Sequence, residues 1–356
     1  MLILTLRSFT PSASLALPTE FPNINAPPGI ERFNCLTRFP VKFICSILAV
    51  LAASTAVHSS RADEHFLKPN DVIALVGGED TVVAGELGYL EFLLQRSLPG
   101  HRLKVRNLAW EGDTVFEQPR MLNYPKLEQQ LDEIGATVVV AQFGQMEGFL
   151  LDDNFHPSLG KTLDRTGQKH GDEGRRLALI FPAEFEGAAA VFNDRLHRIH
   201  GAIATEAQGR RCFGINLARP FLEQKLAGYT RDGIHLNETG HAMAARLLSA
   251  MLQSYRAGIE DPFPKLAGTQ PTLVQSKSEQ QLLDLIRTKN RLWDRYRRPQ
   301  NWAFLAGDRI TQPSSRDHRD PSKRWFPEEM KEFIPLIEAK EREIWTLAAR
   351  LSTEKN

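Results

Sequence analysis

Five short apolar segments, each followed by a polar turn and a stretch with helical spacing, constrain this chain most strongly. The clearest is residues 137–143 (TVVVAQF), whose β-branched residues favour a strand. The other four are residues 72–76, 103–108, 177–181 and 212–217. Strands that alternate with helices predict a parallel sheet with helices on both faces. We therefore predict an α/β protein with three α/β/α layers and about five parallel strands.

The intervening segments carry helical signals. Apolar spacing predicts helices over residues 86–94, 125–134 and 188–205. Asn237 is expected to cap a further helix whose apolar face carries Leu247 and Leu248.

Composition narrows the class of protein. The 356 residues carry a net charge of +1, so no global field draws the chain to nucleic acid or to an anionic membrane. No periodic repeat indicates a solenoid or propeller. The three cysteines, Cys35, Cys45 and Cys212, form neither a CxxC nor a CxxCH motif, so neither a zinc ribbon nor attached haem is indicated. We expect no cofactor, no metal and no nucleic-acid partner.

Residues 1–62 have the features of a leader. Arg38 and Lys42 precede an apolar run at residues 43–57, which is shorter than the roughly 20 residues of a transmembrane helix. Ser60-Arg61-Ala62 fits a small-x-small cleavage site. We predict a signal peptide cleaved after Ala62 and a periplasmic or secreted protein in which Cys212 is the remaining cysteine. The alternative is an uncleaved membrane anchor.

The rest of the chain divides into three predicted parts. Residues 63–258 form the α/β domain, and residues 259–278, rich in Pro, Ser, Thr and Gly, form a linker. Residues 279–356 form a helical C-terminal appendage, with helices at 279–297 and at 328–350, the latter interrupted near Pro335. The appendage holds four of the five tryptophans and is expected to pack on the α/β domain. These four are Trp293, Trp302, Trp325 and Trp345.

One appendage segment, residues 314–318 (SSRDH), contains the residue types of a catalytic triad. Neighbours on one short segment do not converge easily on one point, so we interpret it as a turn-rich connector whose Asp317 bonds its own backbone. The alternative is a hydroxyl of Ser314 or Ser315 that reaches His235.

Candidate site residues follow the strands, because ligands of open parallel sheets bind at the carboxyl ends of the strands. The loops at these ends are residues 77–80 (GGED), 109–114 (AWEGDT), 144–147 (GQME) and 232–237 (DGIHLN).

The order of these loops resembles the SGNH/GDSL hydrolase family over roughly residues 71–254. The most specific match is DGIHLNETGH, residues 232–241. The resemblance implies a flavodoxin-like SGNH hydrolase fold in which Asp232 and His235 are two members of a catalytic triad. It also implies that Gly112, in NLAWEGDTV, donates its backbone N–H to an oxyanion hole. A narrower resemblance is to a bacterial branch that lacks the usual nucleophilic serine and often accompanies periplasmic haem-containing dehydrogenase-like modules.

Two departures from the family pattern affect the chemistry. The first block, normally G-D-S-x, is Gly77-Gly78-Glu79-Asp80, so Glu79 stands at the serine position. Met146 replaces the asparagine of the third block. Serine catalysis needs a hydroxyl beside the histidine base, and one lost oxyanion donor costs roughly 10²–10³ in turnover.

Two functions stay open at this point. The first is an altered or degraded hydrolase that acts on esters of acylated carbohydrates or small molecules, with His235 as base, Asp232 as its orienting partner and Glu79 at the reaction centre. The second is a non-catalytic pseudo-hydrolase that binds a polysaccharide or a periplasmic redox partner.

The remaining site candidates are Gly78, Asp80 and Glu147, which are expected to line the pocket with Gly112. For Glu79 and Asp80 the alternative is a solvated turn, and for Glu147 it is an acid favoured at a helix start. A cluster of Glu79, Asp80, Asp113 and Glu147 that holds a hard cation is a further alternative.

Overall fold

The computed structural model describes residues 65–150, 153–167, 174–210, 212–218, 221, 228–254 and 273–354. The predicted leader, with Cys35 and Cys45, and most of the predicted linker lie outside the described residues. Residues 58–356 belong to one compact unit. Within the ranges described, no helix combines the length and apolarity needed to cross a bilayer.

The sheet has five parallel strands in the order β2-β1-β3-β4-β5, as predicted in number and direction. This is the flavodoxin-like order. The chain adds β2 on one side of β1 and then β3, β4 and β5 on the other side, so the switch point lies between β1 and β3. The strands are β1 Val72–Gly77, β2 Lys104–Asn107, β3 Val138–Gln142, β4 Arg176–Phe181 and β5 Phe213–Asn216.

Helices flank the sheet and continue into the C-terminal segment. They are α1 Glu79–Leu87, α2 Tyr89–Ser97, α3 Leu127–Glu133, α4 Phe155–Gly167, α5 Asn193–Arg210, α6 Glu238–Ser254, α7 Lys277–Arg297, α8 Trp302–Leu305, α9 Trp325–Lys331 and α10 Phe333–Thr353. Asn237 caps α6 as predicted, since its Oδ1 accepts a hydrogen bond from Gly240 N at 3.0 Å.

Two cores lie on opposite faces of the sheet because successive strand residues alternate in direction. Ile73 and Leu75 of β1 belong to the core under α2, α6, α7 and α10. Ala74 and Val76 belong to the core under α3, α4 and α5. The α/β/α layering is therefore confirmed.

Several helix boundaries differ from the predicted ones. The segment predicted as one helix over residues 86–94 is split at Gly88, which has φ of +70° and ends α1. A bulky residue would also clash there, since a Cβ at Gly88 would lie 2.9 Å from Ile286 Cγ2. The break in the last helical region falls at Glu332, and Pro335 lies in the first turn of α10, where proline is tolerated.

Helix α4 is not among the helices predicted from the sequence. Its segment contains Pro157 and two glycines, which lower helix propensity. Phe155, Leu159 and Leu163 are nevertheless spaced four residues apart and are all buried, so tertiary packing stabilises the helix.

The C-terminal helices cover the edge strand β2, which agrees with the expected packing of the appendage. Edge strands expose unpaired backbone groups, and side chains of α7 bind two carbonyls of β2 and the carbonyl of Leu108, which follows it. Lys289 Nζ binds Val105 O at 3.0 Å, Trp293 Nε1 binds Asn107 O at 2.8 Å, and Arg297 Nη1 binds Leu108 O at 2.9 Å.

The tryptophans of this segment differ in burial. Trp293 is buried, and Trp302 Nε1 donates to Leu122 O at 2.8 Å. Trp325 is exposed and stacks on Phe326 at 4.1 Å, so this tryptophan is not part of the buried contact with the α/β domain.

Candidate active site

The site lies where β1, β3 and the loop before α6 meet. Glu79 is the first residue of α1, directly after β1 and Gly78. Gln145 follows β3, and Asp232 and His235 lie just before α6. Because the strand order reverses between β1 and β3, the loops at the carboxyl ends of these two strands diverge and leave a crevice between them.

Asp232 and His235 form the pair that the family resemblance implies. Asp232 Oδ2 lies 2.8 Å from His235 Nδ1, and Asp232 Oδ1 accepts hydrogen bonds from the backbone N–H groups of Ile234 and His235. Partial burial opposes ionisation, but hydrogen bonds from the His235 ring and from these backbone groups lower the pKa of Asp232 well below its usual value. Asp232 is therefore an anion that fixes the ring of His235 and directs Nε2 away from itself.

Glu79 occupies the position that Nε2 of His235 faces. Its Oε2 lies 3.4 Å from Nε2, and its Oε1 forms an ion pair with Arg231. The Glu79 side chain is 32 % exposed and that of His235 is 13 % exposed, so both border solvent. A separation of 3.4 Å is longer than the 2.7–2.9 Å typical of a charge-assisted hydrogen bond, so the contact is loose.

Asp80 lies beneath the site and does not form a solvated turn. It is buried, and its carboxylate accepts hydrogen bonds from Gln145 Nε2 at 2.7 Å and from Leu236 N at 3.0 Å. Gln145 Nε2 also donates to Ile234 O at 2.8 Å. Burial raises the pKa of Asp80 to about 6, with these hydrogen bonds acting against the rise. Asp80 therefore joins the three loops that carry the site.

Glu147 also serves as a support, and the structure corrects its expected place as a pocket-lining carboxylate. It is buried, and its two oxygens accept hydrogen bonds from Val115 N at 2.8 Å and from Gly144 N at 2.9 Å. Burial raises its pKa, with the backbone hydrogen bonds acting against the rise. Glu147 thus ties the loop after β2 to the loop after β3.

The loop that carries Gly112 is held by arginines. Asp113 is buried and forms an ion pair with Arg120 at 2.6 Å. Arg298 binds Glu111 at 2.9 Å and lies 4.3 Å from the centre of the Trp110 ring. Gly112 itself is exposed, and a Cβ added there would meet no heavy atom within 4 Å. The loop is thus anchored on both sides of a glycine that faces solvent.

Two alternatives from the sequence are not supported by this arrangement. Glu79, Asp80, Asp113 and Glu147 do not converge on a cation, since each is engaged by the separate partners described above. Ser315 is fully buried, and its hydroxyl donates to Ile310 O and Gln312 O within its own turn. The 314–318 segment is therefore a turn-rich connector, and Asp317 Oδ1 accepts from Arg319 N as expected.

Sequence reasoning missed Arg231 and Gln145. Arg231 directly precedes Asp232. Because Glu79 is an acid at the serine position, a basic residue beside the Asp232–His235 loop was a sequence signal for an ion pair with it. Gln145 is the second residue of the third block, directly before Met146. Met146 is 38 % exposed, so it is at the surface and not in the core.

The arrangement offers an imidazole that can accept or donate a proton. Asp232 holds Nδ1, and Nε2 faces a carboxylate where a serine hydroxyl is usual. Neutral His235 can deprotonate a water molecule placed at Nε2, and Arg231 supplies a positive charge within the same group of side chains.

Comparisons with known proteins bear on the fold. No family model matches the chain, and no curated protein matches it. Among solved structures, a gut microbial diltiazem-metabolizing enzyme has a TM-score of 0.52 at 12 % identity, covering 82 % of this chain and 96 % of its own. At 12 % identity the likeness shows the fold alone.

Two smaller structures match about half of the chain. A catalytic mutant of an acetylxylan esterase from Geobacillus stearothermophilus has a TM-score of 0.43 at 14 % identity, covering 52 % of this chain and 95 % of its own. A protein assigned as an SGNH hydrolase from Slackia heliotrinireducens has a TM-score of 0.40 at 18 % identity, covering 51 % and 99 %. The parallel five-stranded sheet in the flavodoxin-like strand order is the architecture that the resemblance implied.

Proposed function

We propose that the protein is an ester hydrolase of altered mechanism, in which His235 activates water directly. The observation that carries this proposal is the contact of 2.8 Å between Asp232 Oδ2 and His235 Nδ1, which leaves Nε2 directed at the serine position. A histidine in this setting needs no hydroxyl to act as a general base, since water can take the place of the nucleophile.

In this mechanism Glu79 and Arg231 shape the place where water attacks. A water between Nε2 and Glu79 Oε2 would donate one proton to each. The two side chains must move apart to admit it, and this is easier from a loose contact of 3.4 Å than from a short ion pair. The backbone N–H of Gly112, and that of Gly78, are the donors proposed for the oxyanion. The substrate class is an ester of an acylated carbohydrate or of a small alcohol.

The test is hydrolysis of p-nitrophenyl acetate and of acetylated xylo-oligosaccharide by the full chain. His235→Ala should lower the rate by on the order of 10²–10⁴, the usual contribution of a general base. His197→Ala is the matched control, because His197 also contacts a carboxylate, Glu184, at 2.6 Å but belongs to α5. The control should keep the wild-type rate. Equal rates for the wild type and His235→Ala would overturn the proposal.

The second candidate is a non-catalytic binding module for a polysaccharide or a periplasmic protein. The ion pair between Glu79 and Arg231 favours it, because a satisfied pair at the serine position can be a fixed recognition surface. Calorimetric titration with unacetylated xylo-oligosaccharide separates the two. Binding without any His235-dependent turnover of acetyl esters would favour the binding module.

We also propose that the protein is exported and acts in the periplasm or outside the cell. The support is the sequence of Arg38, Lys42, an apolar run and a small-x-small site. N-terminal sequencing of the native protein should begin near Asp63. A cytoplasmic protein that begins at Met1 would contradict the proposal.

A further inference from the structure

We propose a second activity, in which Glu79 is a carboxylate nucleophile that displaces halide from an uncharged primary alkyl halide. This goes beyond the proposed ester hydrolysis, although both use His235 as the base. The observation behind it is that Glu79, the first residue of α1 at the carboxyl end of β1, lies 3.4 Å from Nε2 of a histidine whose Nδ1 is held by Asp232.

The two oxygens of Glu79 have different surroundings. Oε1 is bound by the guanidinium of Arg231, whereas Oε2 faces His235 Nε2 at the loose separation of 3.4 Å. Oε1 is therefore stabilised as a negative oxygen, and Oε2 is the one free to form a bond. Side-chain carboxylates act as covalent nucleophiles in several unrelated enzymes.

The first step is substitution at carbon. A lone pair on Oε2 attacks the primary carbon, the C–O bond forms as the carbon–halogen bond breaks, and the halide leaves with the bonding electrons. The product is an alkyl ester of Glu79. No proton is transferred in this step, so His235 is not required for it.

The second step is hydrolysis of that ester by the His235–Asp232 pair. Nε2 takes a proton from water, the water oxygen attacks Cδ of Glu79, and the negative charge that develops on Oε1 lies against Arg231. Collapse breaks the bond between Cδ and the alkyl oxygen, and the alcohol leaves with the proton from His235. Glu79 is left as a carboxylic acid and releases its proton to solvent, which restores the carboxylate. The sum is alkyl halide plus water giving alcohol, halide and a proton.

The chemistry explains why a carboxylate suits alkyl carbon better than acyl carbon. Attack of Glu79 on an acyl ester would give a mixed anhydride, and the carboxylate would leave again more readily than an alkoxide. Attack on an alkyl carbon gives an ordinary ester, which persists until activated water reaches it. Direct attack by water on acyl esters and attack by Glu79 on alkyl halides can therefore share one site.

Exposed apolar side chains lie on two segments that contact the loop between Asp232 and His235, and an uncharged alkyl chain suits such surfaces. Met146 follows Gln145, which binds Ile234 O, and Met146 is 38 % exposed. Val191, 77 % exposed, belongs to the segment that begins beside Gly233, where Glu186 N binds Gly233 O at 2.8 Å.

The test uses 1-bromobutane with the full chain and two readouts. Wild-type protein should release bromide, and in ¹⁸O-labelled water a single turnover should place the label in Glu79. His235→Gln should be alkylated once and then stall, so that a butyl group accumulates on the Glu79 peptide while turnover falls by on the order of 10²–10⁴. The double variant His235→Gln/Glu79→Gln should carry no butyl group at that peptide.

An internal control separates activation from simple exposure. Glu111 is also paired with an arginine, Arg298, at 2.9 Å, and its side chain is more exposed than that of Glu79, at 53 %. Glu79 should be alkylated well before Glu111. Equal labelling of the two glutamates, or a ¹⁸O label in butanol with none in Glu79, would overturn the inference. Acetyl-ester hydrolysis is measured separately, so loss of one activity does not decide the other.

Discussion

Replacement of Lys289 by methionine is predicted to destabilise the protein strongly. Lys289 is fully buried in α7, and its Nζ contacts Glu91 Oε2 at 2.8 Å and Val105 O at 3.0 Å. Methionine has a similar length but no charge, so the Glu91 carboxylate would stay buried without its partner. Breaking a buried ion pair in this way costs about 3–5 kcal/mol.

The double variant Lys289→Met/Glu91→Leu should recover most of that loss, because exchanging a whole buried pair for apolar residues is often close to neutral. The free energies of unfolding are measured by urea denaturation at pH 7. The matched control is Lys340→Met, since Lys340 contacts Glu343 at the same 2.8 Å but both side chains are partly exposed. An exposed pair contributes about 0–1 kcal/mol, so this variant should be nearly as stable as the wild type.

The pH dependence of the single variant provides a second check. Burial raises the pKa of Glu91, with Lys289 acting against the rise. Without Lys289, folded protein binds this proton more tightly than unfolded protein does, so stability should increase as the pH is lowered. If Lys289→Met costs less than about 1 kcal/mol, as the exposed control does, or if the double variant is no more stable than the single one, the reasoning about the buried pair is refuted.

Three further predictions concern the site loops and the C-terminal segment. Asp80, whose pKa burial raises from 3.8 to about 6, binds its proton more tightly when the protein is folded. Its contribution to stability is lost as the pH rises through about 6, so urea titrations should show the wild type losing about 2 kcal/mol between pH 4 and pH 7 relative to Asp80→Asn. Gly144→Ala should cost about 1–3 kcal/mol in the same assay, because φ is +107° and a Cβ would lie 2.5 Å from Ile199 Cγ2; an unchanged midpoint would contradict this. A chain that ends at Ser276 should melt at a lower temperature and bind an apolar dye, since the carbonyls and apolar face of β2 lose their cover; equal stability and solubility would show that the docking is dispensable.

Much of the fold could be predicted because its signals are local. Runs such as residues 137–143 are β-branched and apolar, and such runs suit strands that are buried on both faces. All five predicted strands are present, each within two residues of its expected ends. The helices were predicted less accurately, because Gly88 and Pro157 act through backbone geometry that apolar spacing does not reveal.

The resemblance carried by the sequence implied that Asp232 and His235 form a pair, and the strand pattern placed Glu79 at the end of β1. Both are local relations, because the pair is three positions apart in one loop and Glu79 directly follows one strand and its turn. Only the tertiary structure decided which groups lie opposite them. Arg231 binds Glu79 across 152 positions of sequence, and Leu236 binds Asp80 across 156. Likewise, the apolar spacing of α7 indicated an amphipathic helix. Only the folded sheet shows that Lys289, Trp293 and Arg297 bind backbone carbonyls in and directly after the edge strand β2. Contacts of this kind depend on strand order, and strand order follows from how the whole chain packs.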